Sequence, residues 1–127
     1  MTKALPRLSK YATEKELWQR IKPMLQQDGR KAYRIEAIAT PGFPDVVWLL
    51  KEGISLIELK AGPLKLRPQQ IHFIEDAHAL DVKVWVIHQL EKRGDIMVFA
   101  GIDAITWTGT DDVGVIIELW LKEMTND

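Results

Sequence analysis

The chain has no cysteine. Disulfides and thiolate-bound metals are therefore excluded, and a cytoplasmic setting is expected. No apolar run approaches the roughly 18–20 residues of a membrane-spanning helix, and residues 1–20 lack the apolar core of a secretory signal. There is no internal repeat and no low-complexity tract. His72, His78 and His88 have no metal-ligand spacing; the first two fall on different sides of a helix, which suits surface or packing roles. No Ser-His-Asp or Cys-His set is found, and no glycine-rich phosphate loop surrounds Gly42 or Gly62, which read as hinges. With 127 residues, 46% hydrophobic and 28% charged, the chain fits one soluble domain.

What is present begins with an uneven charge. Residues 1–34 carry nine Lys/Arg against three Asp/Glu, residues 35–94 seven against eight, and residues 95–127 one against seven. A basic first quarter and an acidic end suggest one face for phosphates and another turned away from them. Two solvated ends would look the same.

The most informative stretch is residues 44–60, which reads as a β-hairpin with Glu52-Gly53 as its turn. A two-residue loop there pairs Lys51 with Ile54, Val47 with Glu58 and Asp45 with Lys60. Side chains alternate along strands, so Asp45, Glu58 and Lys60 share a face, within roughly 5–8 Å of each other. Val46, Trp48 and Leu50 on one face, and Val47 and Leu49 on the other, suggest a central strand covered by other layers. Two carboxylates and an ammonium on so apolar a ribbon are costly to bury uncompensated, and a divalent metal is the obvious compensation. A surface hairpin with Lys60 paired to Asp45 is the plainer alternative, but it leaves the second acid unexplained.

These residues carry a family resemblance. Pro44-Asp45 followed by Glu58-Leu59-Lys60 resembles the PD-(D/E)xK nuclease motif. Adding Gly42-Phe43, Ile57, Ala61 and Leu66-Arg67-Pro68-Gln69-Gln70, the chain from about residue 10 to 90 looks like the VRR-NUC family in its stand-alone form. The resemblance implies a restriction-endonuclease-like α/β core (αβββαβ), a mixed central sheet flanked by helices. It implies a Mg2+- or Mn2+-dependent endodeoxyribonuclease with Asp45, Glu58, Lys60, Gln70 and Glu14 as catalytic residues. Asp45, Glu58 and the backbone carbonyl of Leu59 would be metal ligands, with Lys60 positioning or deprotonating the attacking water. Lys65, Arg67, Lys10 and Arg34 are candidate DNA contacts. Arg67 stands where the family often has a small polar residue. The implied substrate is branched DNA such as Holliday junctions, cut by a homodimer. A non-catalytic DNA- or protein-binding module on the same fold, or a repair or restriction nuclease acting on duplex or flap DNA, are the alternatives.

Residues 1–9 read as a loose basic arm and residues 95–127 as an acidic extension of the single domain. A helix is expected from Thr13, capped by Glu16, with Leu17, Ile21, Met24 and Leu25 inward and Pro23 a possible break. Glu14 shares the inward face with Leu17, Trp18 and Ile21, although an acid in a first turn also suits the helix dipole. Asp28-Gly29 is a turn, and Ala32 to Ala39 a strand. A second helix starts at Pro68, continued by Ile71, Ile74, Ala77 and Leu80. A strand follows from Val82 to Ile87, and the helix before it would allow a parallel pairing with its neighbour; a short strand comes next at Ile96–Phe99. A last helix is expected from about Thr110 to Met124. Trp107, Ile116 and Trp120 could line a dimer surface.

Overall fold

The computed structural model describes residues 10–35, 40–51 and 53–99, together with the backbone of 100 and 103–105. Helix α1 spans Glu14–Leu25. Thr13 caps it as expected: its hydroxyl accepts from the Glu16 N–H, and the Glu16 carboxylate accepts from the Thr13 N–H at 2.9 Å. Pro23 falls in the last turn, and the helix runs on to Leu25 rather than breaking there. A 3-10 turn at Gln27–Gly29, with Asp28 at a φ of 57°, then reverses the chain.

Among the described residues, six strands form one sheet in sequence order: β1 (Lys31–Arg34), β2 (Val46–Leu50), β3 (Gly53–Ala61), β4 (Lys83–Gln89), β5 (Ile96–Ala100) and β6 (Asp103–Ile105). Every pairing is antiparallel except β3 with β4, which is parallel. That single parallel pairing follows from the helix between them, α2 (Pro68–Ala79), because a crossover is needed to run the next strand in the same direction.

The sheet separates two apolar layers. On one side Leu17, Ile21 and Leu25 of α1 pack on Trp48, Ile57, Leu59, Trp85, Ile87, Ile96 and Val98. On the other, Ile74 and Ala77 of α2 pack on Leu56, Val84 and Val86. The indole N–H of buried Trp48 donates to the Leu25 carbonyl at 2.7 Å, satisfying an acceptor that the end of α1 leaves open.

Three expectations need correction. Gly53 belongs to β3 and pairs with Leu50, so Leu49 rather than Lys51 faces Ile54, and Val47 faces Leu56 rather than Glu58. Hydrophobic alternation cannot detect this slip, because a shift of two residues leaves every side chain on its original face. Glycine can hold the φ of 135° found at position 53, which lets β3 start one residue earlier. The inward stripe of α2 is Gln70, Ile74 and Ala77; Ile71 and Leu80 are exposed. Second, β2 is fully covered on one face, where Val46 and Trp48 are buried, but only in part on the other, where Val47 packs on the α2 layer and Leu49 is exposed. Third, the strand β6 was not foreseen. Residues 36–39 of the first expected strand, Glu52, the basic arm, Trp107 and the last helix with Ile116 and Trp120 lie outside the described residues.

Replacing Trp48 by Phe keeps most of the apolar mass but orphans the Leu25 carbonyl. It is expected to lower stability by about 1–3 kcal/mol, read as a drop in the urea midpoint without a change in slope.

Candidate active site

The sheet opens a site where β2 begins and β3 ends. Leu56 faces the α2 layer, so Glu58 and Lys60, two and four residues on, project to that same side. Asp45 is brought to them by backbone and side chain together. Its N–H donates to the Ile57 carbonyl at 3.0 Å and its carbonyl accepts from the Ile35 N–H at 2.7 Å. Its Oδ2 accepts from the Leu59 N–H at 2.8 Å, so Asp45 is tied to the residues on either side of Glu58, by its backbone to Ile57 and by its carboxylate to Leu59. Asp45 thus adjoins Glu58, rather than standing opposite Lys60.

Glu58 is 4% exposed. Its Oε2 accepts from the side-chain Nε2 of Gln70 at 2.8 Å and lies 3.9 Å from Lys60 Nζ. The far end of the Gln70 amide is also fixed, because Oε1 accepts from the Arg67 N–H at 2.8 Å. This is the returning half of a capping box at the start of α2, and it settles which end of the amide meets Glu58. Burial, the neighbouring Asp45 charge and the hydrogen bond with Asp45 push the Glu58 carboxyl up to about 8, a rise that Lys60 offsets only in part.

Glu14 stands at the mouth of the site rather than on a buried face: its side chain is 46% exposed, and it pairs with Arg34 at 3.5 Å. Partial burial and Asp45 raise its carboxyl above the usual range, against the pull of Arg34, Lys60 and Arg67. The site therefore gathers Asp45, Glu58, Lys60 and Gln70, with Glu14, Arg34 and Arg67 within electrostatic reach. Lys10 and Lys65 are exposed, Lys10 with its ammonium 5.6 Å over the Tyr11 ring. His72 is exposed beside Glu75, the His78 ring nitrogen meets the backbone of Val84, and the buried His88 ring meets the Gly62 carbonyl. Sequence reasoning did not find the double hold on Gln70; the i, i+4, i+7 spacing of Gln70, Ile74 and Ala77 was the signal for its burial.

Among the described residues, no three His, Cys, Asp or Glu side chains converge as a ready-made metal-ligand group. The donors that could hold a cation are the pair Asp45 and Glu58. The Leu59 N–H points toward Asp45, and in an extended strand the carbonyl of the same residue points to that side too. Magnesium takes oxygen ligands and keeps several waters, so two carboxylates and a carbonyl suit it. Adjacent carboxylates, one driven toward its protonated form for want of positive charge, fit a divalent cation.

The architecture is an α/β fold of the restriction-endonuclease-like kind. The chain is similar to the structure of Hjc from Archaeoglobus fulgidus, a Holliday junction resolvase from an archaeal hyperthermophile. The TM-score is 0.50 at 18% identity, over 77% of this chain and 87% of that one. No protein-family model matches the chain, and no curated protein matches it in sequence.

The Glu58 carboxyl generates a pH prediction. Between its ordinary value of 4.5 and about 8, the folded protein holds a proton that the unfolded chain has released. Stability of the cation-free protein should therefore fall as pH rises through this window, by up to about 1.4 kcal/mol per pH unit. Glu58→Gln removes the titrating group, so its thermal melting point should gain on the parent from pH 5 to pH 8 and level off above. Parallel curves for the two proteins across that range would contradict the assignment.

Proposed function

We propose that the protein is a Mg2+- or Mn2+-dependent DNA endonuclease, structure-specific for branched DNA such as Holliday junctions. One observation carries the reading: Asp45, Glu58 and Lys60 gather at the end of β3, backed by Gln70, on a fold shared with a Holliday junction resolvase. The motif resemblance to stand-alone VRR-NUC proteins points the same way.

A divalent cation held by Asp45 and Glu58 would supply an activated water and absorb charge on the scissile phosphate. The chain's own groups do the rest. Gln70 holds Glu58 in place. Lys60, 3.9 Å from Glu58 and largely buried, presents its ammonium where a phosphate would lie, to stabilise developing negative charge or orient the attacking water. Arg67 and Arg34 flank the mouth and Lys65 lies on the loop between Lys60 and Arg67, cationic side chains suited to backbone phosphates. Glu14 would act from the mouth on water or a second cation. A homodimer would present two such sites, matching the two-fold symmetry of a four-way junction.

Purified protein with magnesium should cut a labelled four-way junction faster than linear duplex. Lys60→Ala should lower kcat by about 100-fold or more. Junction binding without cleavage under any divalent cation would favour a non-catalytic module. Cleavage by Lys60→Ala at the parent rate would overturn the assigned mechanism.

A further inference from the structure

Glu58 is held by two residues from separate elements, Asp45 from the chain entering β2 and Gln70 from the first turn of α2. Their separation is set where those elements touch, one to three residues away. Gly42 is buried with a φ of 89°. A Cβ at that position would lie 2.5 Å from the carbonyl oxygen of Gln69 and 2.7 Å from its carbonyl carbon. Both are backbone atoms, so no side-chain rotation relieves the clash. Next along the chain, the Phe43 ring meets Phe73 edge-on, with centroids 5.2 Å apart and planes at 72°. Phe73 packs in turn on the Leu56, Ile74, Ala77, Val84 and Val86 layer. The Phe43 N–H closes the turn by donating to the Thr40 carbonyl at 3.2 Å, and Pro44 is buried.

We propose that this contact, Gly42 on Gln69 and Phe43 on Phe73, is the positioning device that sets the spacing of Asp45 and Gln70 about Glu58. The carboxylate pair, and so the grip of the site on its cation, depends on it. Gly42 and Phe43 touch neither cation nor DNA in this account; they act through Asp45. A side chain at position 42 forces the link away from α2 and carries Asp45 with it. Shrinking Phe73 loosens the same seat from the helix side. The cation part of this inference rests on the proposed function; the placement of Asp45 does not.

The test compares Gly42→Ala, Phe73→Leu and Gly29→Ala with the parent. Gly29 is a control, because it has a similar φ of 82° but nothing within 4 Å of an added Cβ. Manganese affinity is read by titration calorimetry, and Asp45 placement by the resonance of the Leu59 amide that donates to it. Gly42→Ala should weaken manganese binding by about tenfold or more, shift the Leu59 amide, and lower kcat while leaving KM for junction DNA near the parent value. Phe73→Leu should move each readout the same way by less, and Gly29→Ala should leave the Leu59 amide and manganese affinity unchanged. If Gly42→Ala does not fold, Phe73→Leu decides. A folded Gly42→Ala or, in its place, Phe73→Leu with parental manganese affinity and an unmoved Leu59 amide overturns the proposal. A parent that binds no manganese defeats the proposed function and the cation part of this inference, and the Leu59 amide then decides the positioning itself.

Discussion

The site turns on the burial of one carboxyl. Glu58 is almost fully removed from water at a sheet end, with a second acid against it and one ammonium nearly 4 Å off. Burying charge without compensation is unfavourable, and a like charge alongside makes it more so. Three arrangements relieve the strain: a proton on Glu58, the hydrogen bond from Gln70, and, in the proposed enzyme, a divalent cation. The surrounding structure keeps the pair together at that cost. The β2–β3 ladder brings Asp45 alongside, the Leu59 N–H anchors its oxygen, and the capped start of α2 leaves the Gln70 amide one way to point.

The fold supplies the rigidity that this requires. β3 is central, antiparallel to β2 on one side and parallel to β4 on the other, and both apolar layers pack against it. Residues on such a strand are displaced only with the whole sheet. By contrast Glu14, Arg34 and Arg67 sit at the partly exposed mouth, where side chains can exchange one partner for a phosphate.

Much of this was legible in the sequence, for identifiable reasons. The capping box at Thr13, the proline opening the second helix and the alternating runs around residue 50 are local signals, and the structure follows them. The common face of Glu58 and Lys60 is a consequence of strand geometry alone. The hairpin register was not legible, because a two-residue slip preserves the hydrophobic pattern, and only the φ of Gly53 separates the two pairings. The burial of Gln70 was obscured by its polarity, yet the helix turns this glutamine inward to meet Glu58. The seat of Gly42 on α2 is a tertiary contact that no local pattern announces.

In the proposed enzyme, Asp45 and Glu58 form one site that exchanges a proton for a divalent cation. Titration calorimetry with manganese near pH 7, in two buffers of different ionisation enthalpy, tests it most directly. One site per chain at millimolar affinity or tighter is expected, with release of about one proton on binding. That release should disappear in Glu58→Gln. No binding at millimolar manganese, or binding with no proton released, would contradict it.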